Sequence, residues 1–527
     1  MITATLISAL CIATPAQLNE RLPKDAIPAY AVDALDYALL DVEDENRVKA
    51  GLPMRFAIST NVSITPASHG IWERLENGQY RWTYRVTCEN SMSMNLGFGR
   101  YSMPISGTMV IMNRDINCHI RPFTSADNKD HGELWTPIIP SNNATIEIVV
   151  DAVDKRALLR GIEITSINAG YRGFKNGEDR GGSGSCNIDV VCSQGNNWWD
   201  EIPSVGVYTL NGYLTCTGAL INNTAQDGTP YFLTANHCGV TSSSDSSIVV
   251  YWNHQNSYCR APGSGDSGGN GNGSFSQFTS GSTMRATRSY TDFTLTELSS
   301  TPNSSYEVSY SGWSRASSAS VGAGIHHPST AEKRISFPDY ISASGEYWNV
   351  NWSEGTTEPG SSGSPLYDGN HRIVGQLCCG SAACGNDSND YYGRSMYNSW
   401  TGSSGSSLGS WLDPLGTGQT TLDTYNPGAL PIGACCIGTS GSCIQIREAN
   451  CLAGGGTWMG ADSDCTLCEP EPTCESDING DGYTNVSDLL GIVSEWGNNG
   501  SSPADVNGDG YVGVADILAV IEGWGPC

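Results

Sequence analysis

Leu233-Thr234-Ala235-Asn236-His237-Cys238 follows the strand-like pair Tyr231-Phe232, and far downstream stands Gly360-Ser361-Ser362-Gly363-Ser364-Pro365. These two stretches decide the fold. An imidazole titrates near neutrality, so a His fixed beside a cysteine can take a proton from a hydroxyl. In the second stretch the glycines let the backbone turn back sharply, so that the amides of Gly360 and Ser362 can face a developing oxyanion. Each stretch alone also has a plain structural reading, since Gly402 to Ser407 is a similar run that looks like a loop. Together they ask for a third group, a carboxylate that orients the base. Thr291-Asp292-Phe293-Thr294-Leu295 supplies it at the head of an alternating strand. Asp245, Asp266 and Asp339 compete, but they sit in Ser/Gly loops or beside proline and read as solvated turn residues.

The order His, Asp, Ser is that of the chymotrypsin class, whereas an α/β-hydrolase runs Ser, Asp, His. A β-rich block from Cys186 to about Pro427 surrounds the three residues, and it resembles the lysyl endopeptidases, the bacterial Lys-specific branch of that class. The residues carrying the resemblance begin with Ser185 to Cys192 (SCNIDVVC), Cys216-Thr217-Gly218-Ala219-Leu220, Asn222-Asn223-Thr224 and Phe232 to Cys238. They continue with Val249 to Asn253, Asp292 to Leu295, His326-His327-Pro328, Glu332 to Ser336, Thr357 to Pro365 and Gly375-Gln376-Leu377. The resemblance implies two six-stranded β-barrels with the active site between them. His237 would be the general base, Asp292 the orienting carboxylate, Ser362 the nucleophile, and the amides of Gly360 and Ser362 the oxyanion hole. It further implies disulfides Cys186–Cys384, Cys192–Cys259 and Cys216–Cys238.

The same resemblance bears on which bond is cut. Trypsins carry their specificity acid six residues before the nucleophile, where this chain has Thr356. The lysyl branch places an Asp after the nucleophile, and Asn389-Asp390-Tyr391-Tyr392-Gly393-Arg394 matches that segment, so Asp390 would pair with a basic side chain. Taken by itself, Asp390 reads as a turn residue in an Asn/Asp-rich loop. Two departures suggest a more open pocket that accepts Arg as well as Lys. The family's pocket-side His falls on Cys378, and its Trp, expected between Ser336 and Trp348, has no clear counterpart. The mature start implied by the family is at Arg180-Gly181. Ser361 replaces the Asp that receives the new N-terminus in the animal enzymes, so no activation ion pair is expected there. Adjacent Cys378 and Cys379 could form a vicinal disulfide, pair elsewhere or stay free.

At 527 residues the chain exceeds one hydrophobic core. Residues 1–16 read as a signal peptide, with an apolar run Ile2 to Ala13 and a small residue after Thr14-Pro15, although no basic residue precedes the run. Residues 17–180 form the expected pro-region, which would aid folding and block the cleft. It holds an amphipathic helix around Ala34 to Leu40 and then a β-sandwich over Arg55 to Phe174, alternating as in Tyr80-Trp82-Tyr84-Val86. Cys88 and Cys118 would staple it. The polar Lys175 to Ser185 segment is the expected hinge. The protease domain follows over 181–427, closed by a helical stretch near Leu408 to Leu412. Nineteen cysteines point to an oxidising compartment and a secreted protein. The net charge of −27 argues against nucleic-acid binding. No later stretch has the ~18–20 apolar residues of a membrane span.

Two small modules close the chain. Residues 433–472 carry Cys435, Cys436, Cys443, Cys451, Cys465 and Cys468, read as disulfides of open connectivity. Residues 473–527 contain a repeat: Asp477-Ile478-Asn479-Gly480-Asp481-Gly482 recurs 28 residues later as Asp505-Val506-Asn507-Gly508-Asp509-Gly510. Oxygen ligands at loop positions 1, 3, 5, 9 and 12 suit one Ca²⁺ each. The expected ligands are Asp477, Asn479, Asp481, Asn485 and Asp488 in the first loop, and Asp505, Asn507, Asp509 and Asp516 in the second. The pair resembles a dockerin module, which implies structural Ca²⁺ and a cohesin-like docking partner; Cys474 and Cys527 could clamp its ends. The fold expectation is therefore mainly β, with a small α-helical EF-hand pair at the end. The alternative reading is a non-catalytic secreted scaffold displayed through that docking module.

Overall fold

The computed structural model describes residues 22–112, 120–174, 182–386, 388–428, 432–437, 442–453, 456–461, 463–468 and 474–526. The expected signal segment, Arg180, Gly181, Cys118 and Cys527 lie outside them. The chain divides into two compact units, Met1–Ala429 and Leu430–Cys527.

Early in the first unit is a helix, Tyr37–Lys49, whose N-terminus is capped by the Asp36 carboxylate accepting from the amides of Ala38 and Leu39. It lacks the expected amphipathic pattern. Leu39, Val42 and Val48 are exposed while Asp44 is buried. What anchors the helix is charge: Asp44 lies 2.9 Å from Arg55 and 2.8 Å from Arg172, and accepts a hydrogen bond from Tyr171. Behind it stands a β-sandwich. A six-stranded sheet is built around Tyr80–Cys88, and a four-stranded sheet pairs Ile162–Gly170 with Ala57–Ile64 and Ser93–Tyr101. Register explains the alternation seen in the sequence: Ile146 faces Tyr84 and Ile148 faces Trp82, all four buried. Cys88 corrects an expectation, because its sulfur is a free thiol inside this core and not half of a staple. Burial among apolar side chains pushes its pKa up to about 12.

Two barrels follow. In the first, Val205–Leu210, Leu214–Leu220, Tyr231–Ala235, Phe293–Leu298 and Ser282–Arg288 pair in that order. At Gly281 (φ 87°) the last strand bends into Phe278–Ser280, which pairs with Val249–Tyr251 and so returns to Val205–Leu210. Only glycine fits that bend, since an added Cβ would meet His131 at 2.8 Å. The second barrel runs Ala323–His326, Arg334–Ser344, Tyr347–Glu354, Asp390–Gly393, Ile373–Gly380 and Pro365–Tyr367, closing back on Ala323–His326. Each barrel thus closes on six strand directions. The sandwich is not a separate body, because Val207, Tyr251 and Phe278 of the first barrel share its core. Its Met54–Arg55 strand also pairs with Leu214 and Thr215.

A buried ion cluster ties the start of this domain to its barrels. Asp189 accepts from Arg260 at 2.7 Å and 2.9 Å and lies 2.9 Å from Arg334, all three side chains being at most 1% exposed. Disulfides join Cys186 to Cys384, Cys192 to Cys259 and Cys216 to Cys238.

In the second unit a hairpin of Ile432–Ile437 and Ser442–Arg447 carries disulfides Cys435–Cys451, Cys436–Cys468 and Cys443–Cys465. Helices Val486–Ser494 and Val514–Glu522 pack around Ile492, Ala504, Val512 and Val520. Cys474 is disulfide-bonded. No helix among the described residues is long and apolar enough to cross a membrane.

Candidate active site

His237 sits in a single turn directly after the Tyr231–Ala235 strand, where the Cys216–Cys238 disulfide holds the turn to the neighbouring strand. Its Nδ1 lies 2.8 Å from Oδ2 of Asp292, and its own backbone amide donates to Oδ1 at 2.8 Å. Asp292 reaches this place because its backbone is left-handed (φ 52°), which swings its carboxylate out of the strand that follows. The Gln376 side chain donates to the carbonyls of Thr291 and Asp292 at 2.8 Å and 3.0 Å, and Ser395 donates to Gln376 in turn at 2.6 Å. This support was not visible in the sequence motifs.

Ser362 is presented by a turn bounded by Gly360 (φ 97°) and Gly363 (φ 83°). The carbonyls on either side are pinned: Thr217 donates its hydroxyl to Gly360 O and its amide to Ser362 O, both at 2.9 Å. Ser361 points inward and is fully buried. Its hydroxyl lies 2.9 Å from Nδ1 of His326, whose Nε2 faces Ser336 at 3.0 Å. Burial lowers the His326 pKa to about 3, so this support is neutral. Glu358 takes the amide of Gly184 at 2.6 Å and the side chain of Asn187 at 2.7 Å, tying the segment after the hinge to the serine turn.

His237, Gly360, Ser362 and Asp390 line one cavity of about 390 Å³. Asp390 is a strand residue only 2% exposed, not a turn residue. Trp352 donates to its Oδ2 at 2.8 Å and Thr357 at 2.7 Å, while the Ala382 amide donates to Oδ1 at 3.3 Å. Burial raises its pKa, partly offset by these donors. Trp352 was not singled out from the sequence, and Thr357 stood in a matching run without this role, because both act on Asp390 from more than thirty positions away. The other wall of the cavity is Val48, Gly51, Leu52 and Met54, from the helix and strand that precede the sandwich. Met54 Sδ lies 3.3 Å from where a Cβ on Gly360 would stand.

Cys378 and Cys379 are free thiols on the cavity rim, not a vicinal disulfide. The Cys378 pKa is pushed up by its hydrogen bond to Cys379, by burial and by the Asp292 charge. Tyr347, just before Trp348, hydrogen-bonds to Cys378 as well.

The C-terminal loops have the turn that their sequence demands, with Gly480, Gly482, Gly508 and Gly510 all at positive φ. Their donor sets are oxygen only and suit a hard cation. Asp477 accepts from the amides of Gly480 and Gly482, and Asp505 from those of Asp509 and Gly510. Asn479 and Asn507 accept from the amides of Asp481 and Asp509, whose own carboxylates take the amides of Tyr483 and Tyr511. Asp488 and Asp516 turn back onto the amides of Asn485 and Gly513. The Asn485 side-chain oxygen likewise accepts from the amide of Ser487 at the start of the following helix.

Residues 180–393 match the family described as lysyl endopeptidase, C-terminal domain. The lysyl endopeptidase of Pseudomonas aeruginosa is 30% identical over 291 residues, 49% of this chain and 60% of that protein. The chain therefore spans less than two thirds of that relative's length. Among solved structures, an inactive form of Rv3671c from M. tuberculosis H37Rv is 14% identical with TM-score 0.25, over 40% of this chain and 88% of that one. A serine endoprotease from Yersinia pestis is 13% identical with TM-score 0.27, over 38% and 62%.

Proposed function

We propose that this chain is a secreted serine endopeptidase that cuts after basic residues, Lys favoured and Arg accepted. The observation that carries the reading is the His237–Asp292 pair opening into the same cavity as Ser362. In that arrangement Ser362 Oγ attacks the scissile carbonyl while Nε2 of His237 takes its proton, later passing it to the leaving amine. Asp292 holds the proton on Nδ1 and stabilises the imidazolium. The amides of Gly360 and Ser362 receive the oxyanion, since the turn pins the neighbouring carbonyls away. Asp390, buried and met only by neutral donors among the described residues, supplies the charge for a Lys or Arg ammonium or guanidinium. Trp352 and Thr357 hold it in place. Sequencing the cleavage sites made in a denatured protein mixture tests this reading. Cuts after Lys and Arg support it; cuts spread equally over Gln and Leu would overturn the acidic pocket.

The 17–180 region is proposed to keep the enzyme latent, because Met54 and Leu52 wall the cavity beside Gly360. Cutting the chain at Arg180-Gly181 would then raise its rate. The disulfides of the described residues suit an extracellular protein.

The C-terminal loops are proposed to hold structural Ca²⁺ through Asp477, Asn479, Asp481, Asn485 and Asp488, and through Asp505, Asn507, Asp509 and Asp516. Removing Ca²⁺ with a chelator would lower the melting temperature of the Leu430–Cys527 unit. A cohesin-like partner is the proposed occupant of its two helices. Supporting this, the exposed series Val486, Leu490 and Val493, with Trp496 just past the helix end, repeats 28 residues on as Val514, Leu518 and Ile521, with Trp524 just past the second helix.

A further inference from the structure

A nitrogen of His237, a carboxylate oxygen of Asp292 and Sγ of Cys378 lie within 4.8 Å of one another. Among the described residues this is the only group of three or more His, Cys, Asp or Glu ligand atoms gathered so closely. The nitrogen facing Asp292 is Nδ1. In a tetrahedral zinc site N, O and S ligands stand roughly 2.0–2.3 Å from the ion, so neighbouring ligand atoms are about 3.5 Å apart. Closing from the observed spacing takes a shift of about 1 Å, within the reach of a cysteine side-chain rotation. Cys379 is the adjoining thiol, and the strand is irregular between Leu377 and Cys379. The cavity rim gives access, since Cys378 is part-exposed and Cys379 exposed.

We propose that His237, Asp292 and Cys378 form an inhibitory site for a borderline-soft divalent cation such as Zn²⁺. The donor set of imidazole, thiolate and carboxylate suits zinc and not calcium. On binding, Cys378 gives up its thiol proton to solvent. Nδ1 of His237 must offer its lone pair to the metal, so the ring proton moves to Nε2. An imidazole protonated at Nε2 cannot accept the proton of Ser362, and its link to Asp292 is lost in the same event. Metal occupancy and general-base catalysis thus exclude each other. The inhibitory consequence rests on the assignment of His237 as general base; the metal site itself does not.

The test titrates the full-length chain with Co²⁺ and reads the near-ultraviolet thiolate-to-cobalt absorption, a signal the oxygen-only loops of the C-terminal unit cannot give. The wild type and Cys379→Ser should each develop the band with one equivalent, and Cys378→Ser should not. His237→Gln should weaken Co²⁺ affinity at least tenfold. A wild type without the band, a band that survives in Cys378→Ser, or an unchanged affinity in His237→Gln would overturn the site. Zn²⁺ should displace Co²⁺ and, at the same concentrations, reduce peptide hydrolysis by the wild type cut at Arg180-Gly181, with EDTA restoring it. Each variant's rate is compared with its own metal-free rate. Full hydrolysis with the site filled would overturn the inhibitory role. A clear band on a chain that hydrolyses nothing even after it is cut at Arg180-Gly181 would leave the metal site standing and refute the protease reading instead.

Discussion

His237 meets Asp292 twice, through Nδ1 to one carboxylate oxygen and through its own backbone amide to the other, each at 2.8 Å. The two contacts fix both the ring and the turn that carries it. Asp292→Asn separates geometry from charge, because Asn tolerates the left-handed backbone that this position requires. The folded structure should survive. The carboxamide cannot stabilise the imidazolium, and it favours the wrong ring tautomer, so kcat should fall by roughly 10⁴-fold. A rate within tenfold of wild type would contradict the role given to Asp292.

Asp390 predicts a charge-dependent pocket. Asp390→Ala should lower kcat/KM for Lys substrates by roughly 10–100-fold, the loss of one charge-assisted pair of about 1.5–3 kcal/mol, and should affect a Leu substrate little. The pH dependence follows from the direction of the shift. Burial raises the Asp390 pKa above its usual value, so the carboxylate is present above that raised value and lost as pH falls through it. For Lys substrates the acid limb of kcat/KM should therefore lie at higher pH than an unshifted carboxyl would place it, and the contribution should be missing from the profile of a Leu substrate.

Asp189→Asn tests stability away from the chemistry. Arg260 and Arg334 are buried against the Asp189 carboxylate, and the substitution leaves them facing a neutral group of the same size. Glu332 compensates only in part, at 3.2 Å from Arg260. Equilibrium unfolding in denaturant should show a loss of about 3–5 kcal/mol. A change below 1 kcal/mol would mean that the cluster is not doing what its burial implies.

Some of this was legible before any coordinates and some was not, for physical reasons. The nucleophile turn and the His turn are local: Gly360 and Gly363 announce their positive φ, and Cys238 stands next to His237. The sandwich follows from alternation, and the barrels from the resemblance to lysyl endopeptidases. The supports behind the site were illegible because each spans the chain. Gln376 reaches Asp292 across 84 positions, and His326 reaches Ser361 across 35. The first helix misled because the apolar residues around Ala34 to Leu40 suggested a buried face, while Leu39 is exposed and a buried acid, Asp44, anchors the helix from 127 residues before Tyr171. Cys88 misled for a related reason. In a cysteine-rich chain the default is a bridge, and only the packing of its strand shows a thiol enclosed in apolar core.

The most direct measurement is covalent labelling by a fluorophosphonate of the chain cut at Arg180-Gly181, with the modified residue located by mass spectrometry. The account predicts a single adduct on Ser362, lost in Ser362→Ala and slowed by at least 10³-fold in His237→Ala. No adduct on the folded wild type, or one that persists on another serine after Ser362→Ala, would contradict it.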